Sequence, residues 1–356
     1  MELKVDPLYI LEAHEGTVVS IVQPFPNSDY ILTLSNDKFV LLWNLSYGNL
    51  LNEITSEACP TKLFVFSKLG FLFIPNWDNS FSLIDLTIFC LPTKKIIELY
   101  FPENEIVFYG HKSWVLHAIE LEDEEKFLTC SRDKTIRLWN ILSTNCEMVY
   151  SEHKGNVNYI INLEENLIAS CSSDKTIKVW NVAKKNSINS NCCKLTIFDG
   201  NYPVFQIEKV KNNYIVSRNE SPTMKIWDYL TGKLHKVLEG HFTNVICMKV
   251  LKNNNIISGS YDHTAKIWNK DSNKAEMTLY GHEFTIYNIC ECKNGNILTA
   301  SGDGTIKLWD LKKKKCMEIF IGHIDYVVSL LCTKNNEFVS GGYDGYALIW
   351  KIKNYS

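Results

Sequence analysis

Apolar residues along this chain come in short runs, and each run is ended by turn-forming residues. Tyr30-Ile-Leu-Thr-Leu-Ser, Lys126-Phe-Leu-Thr-Cys-Ser and Ile256–Ser260 are typical, and Ala265–Trp268 follows the last of these after a few polar residues. Between such runs stand Asn294-Gly295, Asp303-Gly304 and Asp344-Gly345, the residue pairs that reverse a hairpin. No stretch keeps a 3.6-residue apolar period over three turns, so no helix is expected. The pattern predicts an all-β chain built from many short strands.

The runs repeat. A Trp at 43, 139, 180, 268, 309 and 350 is preceded six residues earlier by an Asp: Asp37, Asp133, Asp174, Asp262, Asp303 and Asp344. Four residues before each Asp is a hydroxyl: Thr33, Thr129, Ser170, Ser258, Thr299 and Ser340. A His lies 21 to 23 residues before each Asp: His14, His111, His153, His241, His282 and His323. Trp43, Trp139, Trp180, Trp268, Trp309 and Trp350 therefore close six equivalent copies. Two further copies are degenerate. One ends at Trp227 and keeps Ser217, with Asn201 and Ser221 where His and Asp belong; the other runs from Lys62 to Leu86 and keeps Asp78, with Ile84 in place of Trp. The count is eight, at about 8–45, 54–88, 105–141, 147–182, 195–229, 235–270, 276–311 and 317–352.

Repeats of roughly 40 residues, all strand, with Gly-His near the start and Trp-Asp near the end resemble the WD-repeat family. The resemblance covers essentially the whole chain, although only Trp227 and Trp309 are followed by Asp. It implies a single closed β-propeller of four-stranded blades, eight by this count, with seven as the alternative. The last copy stops after its third strand, and Leu8-Tyr-Ile-Leu before His14 is a strand without a copy of its own. The family's habit implies that this N-terminal strand completes the last blade and removes an exposed sheet edge. The residues 87–102 leave room for an extra strand or a bulging loop, and Ala183–Asn191 reads as a long exposed hairpin.

His, Ser and Asp together could suggest a hydrolase triad. A catalytic set occurs once, however, and this one occurs six times. The resemblance implies instead a structural tetrad in which His bonds Asp, the hydroxyl bonds His and Trp adds a contact. Composition adds little toward chemistry. With 46% hydrophobic and 22% charged residues and a net charge of −3, the chain reads as globular and carries no strong field toward nucleic acid or an anionic membrane. No apolar run reaches a membrane span, and the start lacks a secretory core, so an intracellular protein, cytoplasmic or nuclear, is expected. The 12 Cys have no framework spacing; Cys290-x-Cys292 reads as strand packing, Cys192-Cys193 borders the insertion, and neither forms a zinc pattern. No cofactor, metal or catalytic residue is expected.

Function is then expected in loops. In family members whose partner sits on the top face, contacts come from three and five residues after the His and from the residue before the Asp. Carried over, those positions include Trp77, Trp114, Leu116, Arg132, Asn244, Tyr261, Tyr287, Tyr326 and Tyr343, an aromatic-rich set of the kind binding hot spots use. The chain holds only three Arg against 34 Lys, and Arg132 is the one Arg among these positions, which disfavours a reader of phosphorylated degrons. The reading is a non-catalytic scaffold or adaptor that docks a peptide or protein partner, as a subunit of a multiprotein complex. The alternatives are a ubiquitin-binding or substrate-receptor subunit of a degradation complex, and then a methyl-lysine or chromatin reader. No F-box-like helical segment precedes His14, which disfavours the receptor form of the first alternative.

Overall fold

The computed structural model describes residues 3–55, 62–76, 78–86, 105–123, 125–164, 166–183, 192–333 and 336–353. The strands form eight antiparallel sheets of four. Blade 1 comprises Val18–Val22, Tyr30–Ser35, Phe39–Asn44 and Leu50–Thr55, and the same order from inner to outer strand recurs to blade 7. Blade 8 takes its outer strand from the other end of the chain: Tyr9–Leu11 lies antiparallel to Ala347–Lys351, with Leu11 opposite Ala347. The expected eight blades and the N-terminal closing strand are both present. The sequence pattern did not reveal a second clasp. Leu3–Val5 pairs in parallel with Lys315–Ile321, giving blade 7 a fifth strand. The chain start thus stitches two successive blades.

There is no single central core. Buried apolar side chains fall into eight clusters, one at each seam between neighbouring blades. Each sheet can bury an apolar face only against its neighbour, which is why the repeats must close into a ring. The seam between blades 8 and 1 is as well buried as the others, with Leu11, Val18, Trp43, Ala347 and Ile349 all within 3% of full burial.

Six blades contain the full tetrad, and its geometry barely varies. In blade 3, Trp139 Nε1 donates to Thr129 Oγ1 at 2.8 Å, Thr129 Oγ1 lies 2.7 Å from His111 Nε2, and His111 Nδ1 lies 2.7 Å from Asp133 Oδ2. Protons run in one direction along this chain: indole to hydroxyl, hydroxyl to Nε2, Nδ1–H to carboxylate. The Asp also accepts the backbone N–H after the His and the N–H two residues past itself. Those bonds hold the next residue at positive φ. Gly304 and Gly345 sit there without strain, whereas Lys38, Lys134, Lys175 and His263 are held at φ 66–77°. All six hydroxyl residues are 0% exposed. A buried hydroxyl already bonded on both sides cannot attack a substrate, so the tetrads serve structure.

The degenerate blades solve the same packing problem differently. In blade 2 phenyl rings replace the polar chain: Phe81 stacks on Phe108 at 4.9 Å and on Phe73 at 4.8 Å, and meets Trp139 of blade 3 edge-on at 5.2 Å. In blade 5 Trp227 still donates to Ser217 at 3.0 Å, but Asp199, 1% exposed, enters before the usual His position and pairs with Lys225 at 3.2 Å. Burial raises the Asp199 carboxyl pKa, and Lys225 opposes that rise. Of the two segments that left the sequence reading open, residues 87–104 and 184–191 lie outside the described residues.

Candidate docking face

One face of the ring gathers two kinds of connection in each of the six regular blades: the loop carrying the tetrad His and the turn carrying the tetrad Asp. A backbone hydrogen bond joins them in all six regular blades. The residue before the Asp donates its N–H to the carbonyl three residues after the His: Arg132 to Trp114 at 2.9 Å, Tyr261 to Asn244 at 3.2 Å, Gly302 to Thr285 at 2.9 Å, Tyr343 to Tyr326 at 2.9 Å, and likewise Asn36 to Thr17 and Ser173 to Asn156. The fold therefore places the sequence-derived positions side by side.

Among the described residues their contacts concentrate on two parts of the face. Arg132 lies over the Trp114 indole at 4.1 Å on blade 3, and Leu116 packs half-buried against the core between blades 3 and 4. Trp77 lies outside the described residues. On blades 6 to 8 the aromatics coalesce. Tyr326 contacts Tyr287 at 5.8 Å, Tyr343 at 5.6 Å and Phe284 at 5.6 Å, and Phe284 stacks on His263 at 5.7 Å. Burial raises the Tyr287 phenol pKa, with Tyr261, Tyr326 and Tyr343 all near enough to add to the rise. Gly302 makes room for this cluster, since a Cβ there would stand 2.9 Å from Phe284 and 3.2 Å from Tyr287.

Three members of the patch were missed from the sequence: Phe242 is 86% exposed, Ile324 84% and Phe284 44%. They lie one or two residues after a tetrad His, where blades 3 and 4 have Lys112 and Lys154. That contrast was the available signal. The charges divide in the same way. Exposed Lys112, Arg132, Lys134, Lys154 and Lys175 stand on blades 3 and 4; exposed Glu283 and Asp325 stand on blades 7 and 8. The face is thus basic on one side, aromatic and acidic on the other.

Below the rim the inner strands carry a belt of side chains that reach across the seams. Leu63 N–H donates to Ser20 Oγ, Gln206 Nε2 to the Met248 carbonyl at 3.1 Å, Cys247 Sγ to Ile286, Asn288 Nδ2 to Val328 at 3.1 Å, and Ser329 Oγ to Val18 at 3.0 Å. Cys290 and Cys292, read as packing, are joined by Cys332 of blade 8, whose Sγ is 3.6 Å from that of Cys292. Among the described residues no group of three or more His, Cys, Asp or Glu is arranged to hold a metal, and no helix is long and apolar enough to cross a membrane.

The family model described as "WD domain, G-beta repeat" matches residues 5–44, 103–140, 144–181, 232–269, 273–310 and 314–351, well over half of the chain. The chain belongs to the WD-repeat family. The model does not match the two blades that lack the tetrad. Among curated proteins, an F-box protein of Saccharomyces cerevisiae is 28% identical over 145 residues, 38% of this chain and 21% of that protein. WD repeat-containing protein 18 of Bos taurus is 29% identical over 118 residues, 33% of this chain and 27% of that one. The small ribosomal subunit protein RACK1 of Medicago sativa is 34% identical over 82 residues, 21% and 25%. The WD-repeat chain spans only about a fifth to a quarter of the length of these relatives. In fold it is similar to the computationally designed protein Ika8, with a TM-score of 0.78 at 23% identity over 99% of each chain.

Proposed function

We propose that this WD-repeat protein is a non-catalytic scaffold whose top face, over blades 6 to 8, docks a protein or peptide partner. The observation that carries the reading is the run of ring contacts Phe284–Tyr326–Tyr343 and Tyr287–Tyr326 across blades 7 and 8, on the same face as exposed Phe242, Tyr261 and Ile324. Isolated exposed apolar residues are ordinary, but a contiguous aromatic patch with polar tips is what an interface core uses. Glu283 and Asp325 beside it favour a partner segment in which apolar side chains are flanked by Lys or Arg.

The test is affinity capture from the source cells followed by titration of the purified prey. Wild type is compared with a Phe242→Ala, Phe284→Ala, Tyr343→Ala variant whose melting temperature is unchanged, and with Lys112→Ala, Arg132→Ala on the basic side. A prey that binds wild type and the basic-side variant but loses about 100-fold in affinity for the aromatic variant supports the reading; several truncated hot spots at about 1–2 kcal/mol each give that loss. An unchanged affinity in the aromatic variant overturns it. The stretch similar to an F-box protein supports a second reading, a ubiquitin-binding or substrate-receptor subunit, for which titration with ubiquitin is the direct assay.

A further inference from the structure

On the face opposite the aromatic patch, the inner strand of each blade runs into a turn beside the blade before it. One position there ties successive blades together. It is the inner-strand residue whose partner on the second strand faces the closing Trp: Glu120, Asn162, Lys209, Val250, Glu291 and Cys332 in blades 3 to 8. In four of these blades its polar side chain reaches back over the seam. Glu120 accepts the Ser67 hydroxyl at 3.2 Å and the Lys68 N–H at 3.0 Å, and Asn162 Nδ2 donates to the Glu120 carbonyl at 2.9 Å. Lys209 Nζ donates to the Leu163 carbonyl, and Glu291 accepts the Lys252 N–H at 3.0 Å.

Blade 8 has a thiol at this position, and a thiol stands opposite it. Cys332 Sγ lies 3.6 Å from Cys292 Sγ of blade 7, and both cysteines are free. As thiols they are a weak donor and a weak acceptor, so the seam gains little from them beyond packing. Oxidised, the same pair would join the two blades covalently. Both residues line a surface pocket of about 270 Å³, together with Lys293 and Glu337, and Cys332 is half-buried, so a small oxidant has access. Cys130 and Cys171 differ: both are 0% exposed, and burial pushes their thiols up. Hydrogen bonds with Cys290 and Cys292 raise the Cys332 pKa well above that of an ordinary thiol, and the contact with Cys332 lowers that of Cys290. Of those two partners, Cys292 is the one that lines the pocket.

We propose that Cys292 and Cys332 form a reversible disulfide that ties blade 7 to blade 8, with peroxide as the oxidant. The two sulfurs have only about 1.6 Å to close, which side-chain rotation supplies. Cys292 gives its proton to solvent, and its sulfur attacks one oxygen of hydrogen peroxide. The O–O bond breaks, the departing hydroxide takes up a proton as water, and Cys292 becomes a sulfenic acid. The Cys332 sulfur then attacks the Cys292 sulfur, the S–O bond breaks, and the hydroxyl leaves with the Cys332 proton as a second water. Two thiols have lost two electrons and the peroxide has gained them. A thiol reductant reverses the link by exchange.

The test treats the reduced full-length chain with hydrogen peroxide, blocks the remaining thiols by alkylation and maps the peptides by mass spectrometry. The expected product has lost two hydrogen atoms, carries a Cys292–Cys332 cross-link and returns to the starting mass with dithiothreitol. The linked residues are 40 positions apart. Closing a loop of that length in the unfolded chain raises the melting temperature by about 5 °C for a protein of this size. Cys292→Ser and Cys332→Ser should abolish both the cross-link and the rise, and Cys290→Ser should keep both. Serine is close to cysteine in size, and an unchanged melting temperature of each reduced variant shows that it has folded. Oxidation that stops at a sulfinic acid, a cross-link through Cys290 or any other cysteine, or a Cys292–Cys332 link without a rise in melting temperature overturns the proposal.

Discussion

Asp133→Ala tests the physical account of the blades most directly. The Asp133 carboxylate collects four donors: His111 Nδ1 at 2.7 Å, the Lys112 N–H at 2.9 Å, the Thr135 N–H at 2.9 Å and the Thr135 hydroxyl at 2.6 Å. Its side chain is 5% exposed and that of His111 is 0% exposed. Water therefore cannot replace what alanine removes, and a buried imidazole N–H loses its acceptor. Such a loss costs about 2–4 kcal/mol. An unfolding entropy of about 2.1 cal/mol/K per residue gives this chain about 0.75 kcal/mol/K, so 3 kcal/mol lowers the melting temperature by about 4 °C. Differential scanning calorimetry resolves that shift. Asp78→Ala is the internal control, because among the described residues Asp78 accepts from the N–H and hydroxyl of Ser80 and from no His. It should cost about 1 kcal/mol and roughly 1 °C. Equal shifts for the two variants, or no shift for Asp133→Ala, would falsify the tetrad account.

Two further outcomes follow from the same structure. Leu11 is 0% exposed in the seam between blades 8 and 1, so Leu11→Ala should cost about 2–5 kcal/mol and loosen the closing strand; an unchanged urea midpoint would show that the N-terminal strand does not hold the ring. Stability should also fall on acidification in two stages. Burial pushes His14, His111 and His117 below their ordinary pKa, so their contribution is present above the unfolded value near 6.5 and is lost below it. Burial would raise Asp133, Asp174, Asp262, Asp303 and Asp344, but the His partners and the hydroxyl and backbone donors outweigh it, and their contribution is lost below the unfolded value near 3.9. Asp199 and Glu208 are shifted upward by burial and act in the opposite sense, two groups against five. A melting temperature that peaks between pH 4 and 5 would contradict this balance.

What could be read from the residues, and what could not, divides by range. The tetrads were legible because each is written within one copy at constant spacing, and six copies confirm one another. Blade 8's closing strand was legible because a copy was visibly one strand short. Pairings between copies left no such trace. The parallel clasp of Leu3–Val5 on blade 7 joins residues more than 300 positions apart and has no equivalent among the described strands. The Asp199–Lys225 pair was hidden because the anion moved to the far side of the missing His, outside the spacing being matched. On the top face, Tyr326 and Tyr343 were legible by position, but Phe242 and Ile324 were not, since the residue after the His is a contact in some blades and solvated Lys in others.

The two worn copies are better understood as released than as decayed. A tetrad constrains four side chains and the turn between them, and a blade that keeps it has little freedom at neighbouring positions on the second strand. Blade 2 replaces the polar chain with stacked phenyl rings, and blade 5 replaces His–Asp with Asp199–Lys225, so both keep a packed seam without it.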